Sequence, residues 1–429
     1  MQRRLFSGIS FLLLVLGATG LSSCGGGGDD NSGGNASVRF VNVASGYTSL
    51  DVYKSSDTKL ATAVAVDQAG DYAALAAGTY TLQLKRAGSV ATSSTTSRTV
   101  YQDTSYTLLA YSARDSLRTL MLNDGEAAPT SGTTKFRVIN LSPEAGSLDV
   151  FVTLASTSLD GVSANVAALA GEQVSTYSEI DTGTYRIRVT GAGDKSDLRL
   201  DIPSVTLANG QILSLVLTST PGGVLVHGNT LLQKGAVTAN KNTSARIRLV
   251  SGVGSQGVVA ASFNGTSLST GLKAPAVGTY LLVNAGTAVP DVSVNGTAAT
   301  TAPVTLVPGG EATLAVLGDP AAPQVFTLTD DNSQPLVSSN SKVRLVNGVQ
   351  GLTGNITLTV DFGVVASEVV FGTASVPANV AAGLDYRLEA TGTTSLYLDT
   401  ELDLLAGRNY TLFMLGNATS PVGVFRRDR

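Results

Sequence analysis

The sequence predicts an all-β protein: four tandem β-sandwich domains, immunoglobulin-like or transthyretin-like, that follow a flexible lipidated tether. Three observations predict it. A set of three short signals recurs four times in the same order. Apolar runs are short, rich in β-branched residues and bounded by Gly, Asn, Asp or Pro, as in Val304-Thr305-Leu306-Val307-Pro308-Gly309-Gly310. No stretch sustains a capped helical period. Composition agrees, since charged residues are only 14% of the 429-residue chain, against roughly a quarter in an ordinary soluble domain. A chain of this length is too long for one core and suits several small ones.

Residues 1–23 have the layout of an export signal. Arg3 and Arg4 open the chain, an apolar stretch runs from Leu5 to Leu16, and small residues lead into Leu21-Ser22-Ser23-Cys24. The apolar stretch is short for a membrane span. The last four residues resemble a bacterial lipobox, which implies cleavage before Cys24 and a lipid on its sulfur. Cys24 is therefore the expected lipid-attachment residue, and a membrane is an expected partner. This accounts for a single cysteine in an exported chain, where disulfides would otherwise be expected. Two or more acyl chains anchor stably where one does not. Gly25 in place of Asp, by resemblance to lipoproteins of bacteria with two membranes, points to the outer membrane, facing either the periplasm or the surface. Residues 24–36 form the tether: the run from Gly25 to Asn35 holds only Gly, Asp, Asn and Ser, so it is expected to be a coil with a span of roughly 20 Å.

The first recurring signal contains an arginine: Val38-Arg39-Phe40-Val41-Asn42, Phe136-Arg137-Val138-Ile139-Asn140, Ile247-Arg248-Leu249-Val250-Ser251 and Val343-Arg344-Leu345-Val346-Asn347. The second is Gly78-Thr79-Tyr80, Gly183-Thr184-Tyr185, Gly278-Thr279-Tyr280 and the altered Gly383-Leu384-Asp385-Tyr386. The third is a polar turn entering an apolar strand at Ser105, Gln211, Glu311 and Asn409. Repeats of this length mean tandem domains, here 37–124, 134–234, 244–332 and 341–429. Polar stretches rich in small residues, Gly125 to Thr133, Lys234 to Thr243 and Asp330 to Ser341, read as linkers.

The first two repeats resemble the bacterial DUF4397 family of domains of unknown function. The resemblance rests on the arginine strand, on Ser49-Leu50-Asp51-Val52-Tyr53 and Ser147-Leu148-Asp149-Val150, and on the Gly-Thr-Tyr turn. Repeats 3 and 4 keep the strand pattern but have Ala260-Ala261-Ser262 and Leu358-Thr359-Val360 where Leu-Asp-Val is expected. The family implies exported β-sandwich modules, often in tandem, and supplies no established activity or site.

The residues present limit the chemistry. A net charge of −4 with no basic stripe argues against a nucleic-acid partner. The one histidine, His227, lies at an apolar strand end and reads as a strand-edge or turn residue more readily than as a catalytic base. One His and one lipidated Cys cannot assemble a zinc site, so no metal and no cofactor is expected. Asp29-Asp30 and Asp330-Asp331-Asn332 lack the ligand spacing of a calcium loop and read as solvated linker charge. Tyr47, Tyr101 and Tyr111 are candidate platforms for a sugar. The recurring arginine has two readings. Asp51 follows Arg39, and Asp149 follows Arg137, at the same offset of 12 residues. That repetition favours structural pairs, Arg39 with Asp51 and Arg137 with Asp149, over a shared binding face. The sequence thus points to a non-enzymatic envelope lipoprotein with a structural, adhesion or assembly role and an envelope protein or polysaccharide partner. A carbohydrate-binding or polysaccharide-associated lipoprotein is the alternative.

Labelled palmitate should enter the wild-type protein in its native host and not the Cys24→Ser variant. Equal incorporation in both would remove the anchor.

Overall fold

Apolar side chains occupy both faces of each opening strand, and the architecture follows from that. Phe40 points into the core of its own sandwich, whereas its neighbour Val41 is equally buried on the opposite face. The computed structural model describes residues 34–114, 116–393 and 395–429, and Cys24, Asp29-Asp30 and the tether up to Gly33 lie outside the described residues.

Repeat 1 contains β1 (Asn35–Asn42), β2 (Ser49–Tyr53), β3 (Lys59–Ala65), β4 (Gln68–Ala69), β5 (Ala73–Ala76), β6 (Gly78–Arg86), β7 (Thr92–Val100), β8 (Ser105–Ala113) and β9 (Ser116–Asn123). One sheet has the order β3-β2-β6-β7 and is antiparallel throughout. In the other, β4 and β5 line one side of β1, β8 runs parallel to β1 on the other side, and β9 closes the edge. The two sheets enclose a core that includes Phe40, Leu50, Val52, Leu82, Leu84 and Leu108. Repeats 2, 3 and 4 follow the same plan, opening at Thr133–Asn140, Ser244–Val253 and Asn340–Gln350 and ending at Val226–Leu232, Ala322–Asp330 and Ser420–Arg427. Each has its own core. The fold is therefore a set of repeated β-sandwich domains.

A second device ties the sheets of one sandwich together. An asparagine three residues after the arginine of the opening strand donates to the edge strand of the opposite sheet: Asn42 to the Val64 carbonyl, Asn140 to Leu169 and Asn347 to Val369. Each also caps its own turn by accepting an N–H two residues on. In repeat 3 this position is Ser251, whose buried hydroxyl has no partner.

The sandwiches do not form a simple string. The outer face of the β1–β8 sheet of repeat 1 packs on the matching face of repeat 2, joining Val41, Leu109 and Tyr111 with Ile139, Val216 and Leu231. Repeats 3 and 4 pair in the same way through Val250, Ala315 and Leu317 against Val346, Phe413 and Leu415. Gly252 and Gly348 show how tightly the second seam closes. A Cβ on Gly252 would lie 3.0 Å from Leu415 of the partner repeat, and one on Gly348 would lie 2.9 Å from Leu317. These strands are buried on both faces, which is why their sequences run almost continuously apolar.

The stretches read as linkers are also more ordered than expected. Val237–Asn240 adds a strand to the edge of repeat 2. Asn242, Asp330 and Asn332 are buried, so of the expected solvated charge at Asp330-Asp331-Asn332 only Asp331 is exposed. The Asn332 N–H donates to the Gly222 carbonyl, and the Gln334 N–H donates to that of Glu144, fastening this connection to repeat 2.

The Gly-Thr-Tyr signal of repeat 3 proves to be a coincidence of letters. Gly278 occupies the position of Gly70, since the Gly278 N–H donates to the Leu249 carbonyl as Gly70 donates to Phe40. The true counterpart of Gly78-Thr79-Tyr80 is Gly286-Thr287-Ala288, where the Thr287–Thr305 hydroxyl contact repeats that of Thr79 with Thr99.

Asn229 lies in the strand Val226–Leu232 beside Val216 of the first seam, fully buried, with neither amide atom hydrogen-bonded. An unsatisfied buried polar group costs about 1–3 kcal/mol. Asn229→Leu, nearly the same shape, should raise the unfolding free energy by that amount, seen as a higher urea midpoint at an unchanged slope. An unchanged or lower midpoint would mean that the amide is satisfied in solution.

Candidate functional site: the arginine clasps

The recurring arginines sit in mid-strand on the seam face. In every repeat the arginine pairs in register with a hydroxyl residue of the parallel neighbour: Arg39 with Thr107, Arg137 with Ser214, Arg248 with Thr313 and Arg344 with Thr411. Each guanidinium Nε donates to that hydroxyl at 2.8–2.9 Å. In the first three repeats a tyrosine from the segment after β4, or its equivalent, lies against the guanidinium. Tyr72, Tyr177 and Tyr280 have ring centres 5.2, 4.5 and 4.5 Å away. The matching residue of repeat 4 is Pro377.

The hydroxyl passes its own proton to an aspartate at the end of the last strand. Thr107 donates to Asp124 and Thr313 to Asp330, both at 2.6 Å, and Thr411 donates to Asp428. Tyr72 and Tyr280 donate to the same carboxylates. This aspartate recurs 17 residues after the threonine in repeats 1, 3 and 4. In repeat 2 the residue at the matching place in the hairpin is Gln233, and its amide exchanges two hydrogen bonds with the Glu126 backbone.

The far side of the guanidinium crosses the seam at Arg39, Arg248 and Arg344. Arg248 of repeat 3 pairs with Asp428 of repeat 4, and Arg344 of repeat 4 pairs with Asp330 of repeat 3 at 2.6 Å. The exchange is reciprocal, as a two-fold axis between the repeats requires. In the other pair, Arg39 donates to the Leu232 and Gly235 carbonyls of repeat 2, next to Gln233. Backbone acceptors there take the place of the missing carboxylate.

Electrostatics follow from burial at these seams. Burial opposes the charge on Asp330, but Arg344 and Arg248, helped by Thr313 and Tyr280, outweigh it and hold the carboxyl below its ordinary value. Burial raises the Tyr280 hydroxyl well above its ordinary value, and Asp330 adds to the shift. Tyr72 is pushed up to about 12, by burial and then by Asp124.

The expected pairs Arg39–Asp51 and Arg137–Asp149 do not form, because the two strands belong to different sheets. Asp51 instead accepts Lys59 Nζ at 2.8 Å and the Ala63 N–H at 2.7 Å. Asp149 accepts the N–H groups of Ala168 and Gly193. Ala63 and Ala168 have φ near 48° and 49°, so each aspartate stabilises a bulge that strains a residue with a side chain. The counterparts in repeats 3 and 4 are Ala260 and Thr357, and the Thr357 hydroxyl accepts the N–H of Glu368, whose φ is 51°.

A shared arginine-lined binding face is equally absent among the described residues, since Arg39, Arg248 and Arg344 are almost wholly buried. His227 lies in a strand with its Nδ1 accepting the Asn242 N–H, and burial, then Lys241, lowers its pKa to about 4. Of the tyrosine platforms, Tyr111 is buried in the first seam, Tyr47 has Arg86 over its ring at 4.1 Å, and Tyr101 is 67% exposed.

β-sandwich repeats paired through apolar seams, one of them locked by a reciprocal side-chain clasp, define a modular, multi-domain β protein. The sequence profile of the domain of unknown function DUF4397 matches residues 36–151, 245–352 and 341–429, and the chain belongs to that family. The match falls on repeats 1, 3 and 4 and covers only the start of repeat 2, so repeats 3 and 4 are members although they lack Leu-Asp-Val. No curated protein matches the chain. Among solved structures, the chain is similar to the Bacillus anthracis TIE protein, at 10% identity and a TM-score of 0.15 over 87% of this chain and 66% of that one. It is also similar to a putative cell adhesion protein from Bacteroides ovatus, at 9% identity and a TM-score of 0.15 over 70% and 97%.

Removing one side of a clasp strands a buried charge, so Arg248→Ala should cost about 3–5 kcal/mol. Arg248→Met combined with Asp428→Leu should cost less than that single change. If the double variant is the less stable, the pair is net stabilising rather than chiefly a device for register. The pH dependence has a defined sign. A carboxyl depressed on folding contributes stability that is present above its unfolded value of about 3.9 and is lost as pH falls through the folded value. The stability advantage of wild type over Asp330→Asn should therefore shrink below about pH 4. Asp330 contributes to the raised pKa of buried Glu311, so the comparison is made with Glu311→Gln in both proteins. An advantage that stayed constant through acid titration would contradict the assignment.

Proposed function

We propose that this protein is a non-enzymatic cell-envelope lipoprotein, held to the outer membrane through a lipid on Cys24, in which paired β-sandwiches form a structural, adhesion or assembly module. The observation that supports this reading is where the recurring polar residues go. The arginine, threonine and aspartate that repeat along the chain are turned inward and consumed in joining one repeat to the next. Their recurrence therefore reflects construction of the module rather than a repeated reactive centre. An apolar seam with native-like packing holds two domains in a fixed relation, as expected of a spacer that presents a surface at a set distance from the membrane. The tether of residues 24–36 would set that distance.

A polysaccharide-associated role is the second reading. It is favoured by Tyr101, the most exposed tyrosine among the three sugar-platform candidates.

Fusion of a promiscuous biotin ligase to the C-terminal end should label a reproducible set of envelope proteins in intact cells. That set should be lost in the Cys24→Ser variant. Labelling dominated by cytoplasmic proteins, or turnover of ester, glycoside or peptide substrates by the purified chain, would overturn the proposal.

A further inference from the structure

The two repeat pairs meet at a cleft of about 1030 Å³ whose walls come from repeats 1, 2 and 4, the tip of repeat 3 and both connections that flank repeat 3. Its size reaches the upper end of the roughly 300–1,000 Å³ range typical of ligand sites. Among the described residues its lining is positive. Arg86, Arg114, Lys241 and Lys342 stand against Glu144 and Asp331 there, whereas the whole protein carries −4.

These groups are held in place by contacts that leave the cleft itself open. Arg86 donates to the Gly46 carbonyl while lying over Tyr47. Lys241 rests on Asp67 at 2.7 Å, and Lys342 on Asp331 at 2.7 Å. Glu144 is engaged by the Arg114 N–H and the Ser219 hydroxyl, which reduces its weight as a competing anion. The neutral part of the lining includes hydroxyls and amides, among them Ser45, Ser116, Gln334 and Asn379, beside apolar Pro221, Pro308 and Leu336. Cations attract carboxylates, and a lining of hydroxyls and amides matches ring hydroxyls. A low-dielectric cleft of one sign also concentrates counter-ions of the other.

We propose that this cleft is a binding site for an acidic oligosaccharide, a run of uronic-acid-like sugars whose carboxylates face Arg86, Arg114, Lys241 and Lys342. Arg86 and Lys342 are 256 residues apart in sequence, so the site exists only when both pairs are assembled. The proposal supplies a ligand class for the adhesion and polysaccharide readings above and rests on them.

The test uses the full chain and isothermal titration with tetragalacturonic acid. The probe should bind saturably, and raising the salt should weaken it because the charges are partly exposed. Methyl esterification of the probe removes its carboxylate charge, and affinity should fall at least about tenfold, or about 1.4 kcal/mol. Arg86→Gln with Lys241→Gln should cause a similar loss at an unchanged melting temperature. Both positions are exposed, and each single variant is measured as well in case the double variant melts lower. No saturation at millimolar probe, equal affinity for the methyl ester, or unaltered binding by the variants would overturn the proposal. Equal or tighter binding of tetraglutamate would reassign the cleft to acidic peptides. Envelope labelling that succeeds while titration fails would remove this site and leave the proposed module standing.

Discussion

A strand that is apolar on both faces cannot end its burial inside one sandwich, and everything distinctive about this protein depends on that constraint. β1 and β8 fill their own core with one set of side chains and present Val41, Leu109 and Tyr111 on the other side. Water cannot cover such a surface cheaply, so another repeat does. The arginine in the middle of the strand then becomes a problem, because it too is carried into the seam. It is resolved by giving the guanidinium a hydroxyl on its own side and a carboxylate or carbonyl on the other. Buried ion pairs offer little net stabilisation once desolvation is counted, but they penalise a misaligned partner severely. The seam supplies adhesion and the clasp supplies register.

Much of this plan was legible in the sequence. The arginine strand, the polar turn before β8 and the spacing of repeats point to repeated β-sandwiches, because strand periodicity and turn residues are local properties. The sandwich pairing was not, although a clue was present: Phe40-Val41 and Leu108-Leu109 place apolar residues at consecutive positions, which a half-buried strand would not do. The equal offset from Arg39 to Asp51 and from Arg137 to Asp149 was misleading. It records that β1 and β2 keep a constant spacing in two repeats, and says nothing about which sheet each joins. The more useful interval was the 17 residues from Thr107 to Asp124, Thr313 to Asp330 and Thr411 to Asp428, which joins a strand to its hairpin partner.

Letters also misled in repeat 3. Gly278-Thr279-Tyr280 imitates a turn signal, yet Tyr280 belongs with Tyr72 and Tyr177 over an arginine. Substitutions elsewhere show the same roles filled by other chemistry. Thr357 supports a strained bulge in place of an aspartate, and the Leu232 and Gly235 carbonyls receive Arg39 where a carboxylate is missing. A side chain's task is conserved in geometry more faithfully than in identity, and this explains how repeats 3 and 4 can be family members without the Leu-Asp-Val signature.

The interlocked glycines of the second seam carry a further implication for how such chains can grow. Gly252 makes room for Leu415 and Gly348 for Leu317, so each face is shaped by the other and neither is an ordinary outer surface. Faces of this kind are used up two at a time. An array on this plan closes its burial only at even numbers, and deleting a single repeat would leave Val346, Phe413 and Leu415, or their counterparts, facing water. Parity, rather than length, is the natural unit of its architecture.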